Sequence, residues 1–190
     1  MAHIAGKAGH VYGNALLVED CEDVWTTGGA GRAVSTTAGQ VGTYAARVTT
    51  TTIGATTLLQ YEDFASADLS AYKGLYAWVR SSLTTAAGNL QLLLDDTAAC
   101  VSALETLSIP ALTADTWTYV RIALANPELD TAIISVGLNA AVNIAANTIW
   151  LNDIQAVLND SGKWLKFDKN NWRVDTLNQE LHDLERKRVL

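Results

Sequence analysis

Short runs in which apolar and polar residues alternate are the feature that most narrows what this chain can fold into. Side chains of a strand point alternately to its two faces, so a period of two marks a strand with one face buried. The pattern holds from about residue 10 to 157. It is clear in "TYAARVTTT" (43–51), "GLYAWVRSS" (74–82), "GNLQLLLDD" (88–96), "TWTYVRIAL" (116–124) and "ANTIWLNDIQAV" (146–157). Shorter candidates are "NALLVE" (14–19), "ATTLLQY" (55–61), "LETLSI" (104–109) and "TAIISVGL" (131–138). Turn-like stretches such as "TTGGAGR", "TTAAGN", "DDTAAC" and "LANPELD" separate them. Some nine short strands at this spacing predict an all-β jelly roll or β-sandwich over residues 14–158.

The ends read differently. Residues 1–13 are small and polar enough for an N-terminal arm that orders on contact with a neighbour. After residue 159 the chain becomes aromatic and basic, and then reads as a helix over about residues 174–188. Val174, Leu177, Leu181 and Leu184 recur at spacings of three, four and three, the seam of a short coiled coil. Thr176 and Gln179 fit a capping box. So short a helix needs a partner, either the body of its own chain or another copy. The second choice makes these four residues an oligomerisation seam.

Charge excludes some partners. The net charge is −7, and residues 1–159 hold six basic and fourteen acidic side chains. An acidic body without a basic stripe does not suit nucleic acid. No apolar run approaches the ~20 residues needed to span a bilayer, and the first residues lack the apolar core of a secretory signal. Membrane insertion and export are therefore not expected. Cys21 and Cys100 are too few for a disulfide framework; two buried thiols are the simpler expectation, with one bridge open as the alternative.

A catalytic reading finds little. The histidines are His3, His10 and His182, all near the ends, and no nucleophile elbow, His-Glu-x-x-His or Cys-x-x-Cys pair occurs. "GGAGR" (28–32) is a loop rather than a phosphate cradle. The carboxylate pairs Glu19/Asp20, Glu22/Asp23, Glu62/Asp63 and Asp95/Asp96 sit at strand ends, where acids ordinarily serve turns. The chain is expected not to be an enzyme.

A binding surface is more visible. "YAWVR" (76–80) and "WTYVR" (117–121) share one plan: aromatic, any residue, aromatic, Val, Arg. Alternation assigns Leu75, Ala77 and Val79, with Val120, Ile122 and Leu124, to the core. Tyr76, Trp78 and Arg80, with Trp117, Tyr119 and Arg121, then face the other way as an interface or glycan face, unless loops or the C-terminal segment cover them. Aromatics and Arg are enriched at protein interfaces, and flat rings also stack on sugars.

Several segments in order carry a resemblance. "LLVEDCEDVW" (16–25), then "LYAWVRSS", "LQLLLDD", "LETLSIPALTADTWTYVRIAL", "ISVGLN" and "IWLNDIQAV" resemble jelly-roll carbohydrate-binding modules over residues 14–157. That resemblance implies a structural calcium ion shared by an acid after the first strand and one on the last. By motif these are Glu22, with Asp20, and Asp153. Cys21 stands where the family has Phe, and Asn152 where it often has Asp, which removes one charge. An acid making ordinary turn hydrogen bonds is the alternative. The opening "MAHIAGKAGHVY" and the chain as a whole are similar to jelly-roll virion proteins of tailed bacteriophages. This second resemblance implies a capsid decoration (cement) protein, a dimer or trimer bridging subunits of the phage major capsid protein. It would be assembled into the virion in the bacterial host cytoplasm. A carbohydrate-binding module of a phage tail or fibre, recognising host glycans, is the alternative function.

Overall fold

The computed structural model describes residues 15–158, together with the backbone of 164–168 and 171–175. In chain order the strands are β1 (Ala15–Glu19), β2 (Thr26–Thr27), β3 (Arg32–Ala38), β4 (Tyr44–Thr50), β5 (Thr57–Ala67), β6 (Gly74–Ser81) and β7 (Leu90–Asp95). They continue as β8 (Glu105–Ser108), β9 (Thr118–Ala123), β10 (Ile133–Ala140), β11 (Asn147–Val157), β12 (Trp164–Asp168) and β13 (Asn171–Asp175). All nine runs read from the alternation are strands.

Two antiparallel sheets make the sandwich. One has six strands, in the order β3-β4-β11-β6-β9, with β1 also paired to β11; the other has the order β2-β5-β10-β7-β8. Both bury one face. Leu75, Ala77 and Val79 of β6 and Val120 and Ile122 of β9 join Leu59, Leu92, Leu94, Val136 and Leu138 of the facing sheet in a single apolar cluster. The hydrophobic effect on these inward sets holds the layers together, at roughly 25 cal/mol per Å² of apolar surface removed from water.

Strand β11 organises the six-stranded sheet. It pairs with β6 on one side. On the other side it pairs first with β4, as far as Leu151↔Ala46, and then with β1, from Ile154↔Glu19. Between these two partners lie Asn152 and Asp153, where the register against β6 also shifts and Asp153 takes a left-handed φ of 55°. Backbone groups at such a handover lack ladder partners and need side chains to satisfy them.

Three parts of the sequence reading are corrected. Strand β2 falls within the turn-like "TTGGAGR", and β3 over a stretch given no strand: "AVSTTA" is too small and polar to show a core face, but β3 needs only to pair along β4, from Arg32↔Thr50 to Ala38↔Tyr44. The second correction concerns the C-terminal helical extension. Residues 171–175 form strand β13, in register with β12, so Val174 opposes Leu165 instead of opening a helix. Asp168 opposite Asn171 leaves two residues between the strands, the length of a tight hairpin, and cross-strand pairing overrides the three-four spacing there. Leu177, Leu181 and Leu184 lie outside the described residues, as does the arm of residues 1–13. The third correction closes the bridge alternative: Cys21 and Cys100 are both free and buried.

Cys100 illustrates how tightly the second sheet is roofed. The 3-10 turn Ala98–Cys100 folds onto the outward side of β10, where a Cβ on Gly137 would lie 2.9 Å from Cys100 Sγ and 2.9 Å from Leu58 Cδ1. Gly137→Ala is therefore expected to cost about 1–3 kcal/mol by overpacking, measured by urea unfolding. Adding Cys100→Ala should recover part of the loss. Burial pushes the Cys100 thiol up to about 11, partly offset by its contact with Ser135, so it should resist thiol reagents until the protein unfolds.

Candidate functional site

The outward face of the six-stranded sheet carries a cluster of aromatic and cationic side chains. Register places Trp78 opposite Tyr119 and Tyr76 opposite Arg121 on the neighbouring strands β6 and β9. The Trp78 and Tyr119 rings are 5.0 Å apart and tilted, while Tyr76 and Tyr119 stack at 5.4 Å. Arg121 lies 5.7 Å above the Tyr76 ring, and Tyr76 is almost sealed, at 3% exposure. The two motifs thus form one patch, because the core sets Leu75↔Ile122 and Ala77↔Val120 align their strands. Trp117 directly precedes β9 and is half-buried.

Two further residues extend the patch. Trp150 of β11 stands between Arg47 of β4 and Arg80 of β6 in one cross-strand row. The Arg80 guanidinium sits 4.5 Å over the Trp150 ring, a cation–π contact, and it pairs with Asp115 at 3.0 Å. Arg47 Nε donates to Ser35 Oγ at 2.9 Å. Sequence reading missed Arg47 and Trp150, although "ARV" (46–48) and "IWL" (149–151) each place an outward residue between two core ones.

The other sheet offers less. Its outward side is roofed at one end by the Ala98–Cys100 turn, held by Ala99 N donating to Asp63 Oδ1 at 2.8 Å and Ser135 Oγ donating to the Thr97 carbonyl at 2.7 Å. Buried Asp95 accepts from the Thr97 amide, the Thr97 hydroxyl and the Ser102 amide. One acid of each of two carboxylate pairs, Asp63 and Asp95, thereby anchors this turn, while Glu62 and Asp63 lie within β5 rather than at a strand end.

The acidic opening stretch also serves architecture. Glu22 accepts from the amides of Thr43 and Tyr44, at 2.7 and 3.0 Å, tying the start of β4. Asp20 Oδ1 accepts from the Glu22 amide at 3.0 Å. The Asp153 carboxylate accepts twice from Gln155 Nε2, at 2.8 and 2.9 Å, and burial raises its pKa. Asn152, where the sequence resemblance has an acid, accepts from Gln40 and Val41 amides and donates to the Tyr44 and Asp20 carbonyls. Asp20, Glu22 and Asp153 thus each satisfy local donors, and among the described residues no group of three or more His, Cys, Asp or Glu is arranged to hold a metal ion. Together with Asn152, Asp20 and Glu22 tie the β4–β1 handover by hydrogen bonds.

With this geometry the chain can be set beside solved structures. The fold is similar to a family 11 carbohydrate-binding module of a cellulosomal cellulase of Clostridium thermocellum, with TM-score 0.55 and 13% identity over 75% of this chain and 94% of that one. The Clostridium thermocellum family 11 module in complex with a β-1,3-1,4-mixed-linked tetrasaccharide gives TM-score 0.55 and 12% identity over 76% and 95%. A family 30 carbohydrate-binding module gives TM-score 0.50 and 19% identity over 83% and 93%. No protein-family model matches the sequence, and no curated protein does. The class is therefore an all-β sandwich with the fold of the jelly-roll carbohydrate-binding modules.

Proposed function

We propose that this chain is a non-catalytic polysaccharide-binding module whose binding surface is the outward face of the six-stranded sheet. The observation that carries the reading is the placing of Trp78, Tyr119 and Trp150 on one face, bordered by three arginines, with the sealed Tyr76 ring stacked against Tyr119. Rings held in a sheet by their backbone register lose little entropy on binding and offer apolar surface to a sugar ring. The similarity in fold to carbohydrate-binding modules supports it. The capsid decoration reading, with a phage major capsid protein as partner, rests on the resemblance of the opening residues and of the chain as a whole to virion proteins, whereas the similar solved structures are carbohydrate-binding modules; it enters the test as the competing outcome.

Affinity electrophoresis of the full chain through gels holding soluble polysaccharides tests this. Retardation by at least one polysaccharide is expected, and Trp78→Ala should reduce it by about tenfold in affinity, since stacked, desolvated aromatics act as hot spots. Circular dichroism checks that the variant is folded. Co-sedimentation with expanded phage capsids, in the absence of any retardation, would sink the proposal in favour of a cement protein.

A further inference from the structure

We infer that the ligand of this face is an acidic polysaccharide, a chain whose sugar rings carry carboxylate or sulfate groups. The inference rests on the polysaccharide-binding reading and narrows it. Residues 15–158 contain five cationic side chains, Arg32, Arg47, Lys73, Arg80 and Arg121, against fourteen acids. Three of the five, Arg47, Arg80 and Arg121, stand outward on β4, β6 and β9 of one sheet. An acidic body thus gathers most of its positive charge on the face that also holds its rings.

The row Arg47–Trp150–Arg80 gives this concentration a chemical form. Strands lie about 4.8 Å apart, so the two arginines stand roughly 10 Å apart across the sheet with an indole between them. A guanidinium offers only donors in a planar fork, which matches carboxylate and sulfate oxygens. Arg80 Nε is buried and has no acceptor among the described residues. The Arg80–Asp115 pair has side chains 32% and 63% exposed, and an exposed pair contributes only about 0–1 kcal/mol. An anionic sugar can therefore take the place of Asp115 at small cost. A neutral glycan would offer Arg47 and Arg80 no carboxylate or sulfate oxygen, and the similarity in fold to carbohydrate-binding modules favours a sugar chain over an acidic protein.

Isothermal titration of the full chain against sodium polygalacturonate, dextran sulfate, neutral dextran and neutral mixed-linkage β-glucan decides the matter. Binding to at least one anionic chain is expected, weakening as salt rises. Arg47→Ala and Arg80→Ala should each lose about tenfold in affinity, with Arg80→Lys partly restoring it. Trp78→Ala should weaken the anionic complex as well. If that variant binds dextran sulfate as the parent does, only diffuse charge attraction is present and the inference fails. Neutral β-glucan bound with neither anionic chain bound would overturn the inference while leaving the polysaccharide reading intact. No polysaccharide bound, with an acidic protein or a capsid bound instead, would overturn both.

Discussion

Asn152→Ala is expected to destabilise the sandwich by about 2–4 kcal/mol, because it leaves several buried or half-buried backbone groups without partners at once. Asn152 is 1% exposed. Its Oδ1 accepts from the Gln40 amide at 3.0 Å and the Val41 amide at 2.7 Å, and its Nδ2 donates to the Tyr44 carbonyl at 2.9 Å. Those groups belong to the β3–β4 turn and the start of β4, where β11 passes from β4 to β1. A side chain with both an acceptor and a donor is required, and Asn supplies both from one planar amide. Asn152→Asp keeps the acceptor and loses the donor, setting a carboxylate against the Tyr44 carbonyl and beside Asp153 and Asp20. It should be nearly as damaging at neutral pH and recover on acidification, as the carboxyl takes up a proton and can donate. Urea unfolding at two pH values reads both effects; an Asn152→Asp variant as stable as the parent at neutral pH would refute the clamp.

The second large effect is on pH. Asp130 is fully buried, and neither carboxylate oxygen has a hydrogen-bond partner among the described residues. Burial, reinforced by Glu105 and Glu128, raises its pKa from 3.8 to about 7. Glu62 behaves alike: burial, with Asp23, Glu19 and Asp63, raises it from 4.5 to about 7. A folded-state pKa above the unfolded value means that the native protein holds its proton more tightly. Stability is therefore highest at acidic pH and falls as pH rises from the unfolded pKa values through the folded ones, by up to about 1.4 kcal/mol per pH unit for each group. The melting temperature should drop from about pH 4 to about pH 7, then level off. Asp130→Asn removes the charge while keeping the shape. It should match the parent near about pH 4 and exceed it by on the order of 2 kcal/mol near about pH 8. A parent more stable at the higher pH would contradict the assignment. The same titration bears on ligand assays: binding at about pH 6 works on a more robust scaffold than binding at about pH 8.

Several features were legible in the residues themselves. A period of two needs no tertiary information, because a strand with one buried face must show it; nine runs announced nine strands, and Leu75, Ala77, Val79, Val120 and Ile122 were placed in the core by parity alone. The same parity turned Tyr76, Trp78, Arg80, Tyr119 and Arg121 away from the core. Edge strands such as β3 escaped notice because pairing along one neighbour asks little of side-chain character. The a/d spacing of Val174 and the leucines after it misled at its first position, since a spacing in sequence cannot exclude a cross-strand partner such as Leu165.

What the chain's sequence alone determined is which side chains face inward and which outward, because that depends only on local backbone geometry. Only the tertiary structure decided who stands beside whom. Strand order brought β4, β11, β6 and β9 together, so that Arg47, Trp150 and Arg80 fell into one row and the two aromatic motifs into one patch. It also tied Glu22 to the start of β4 and sealed Asp130 from water. These are contacts between residues far apart in sequence. They arise from the pairing of whole strands and the packing of whole layers, a choice no short stretch of sequence encodes by itself.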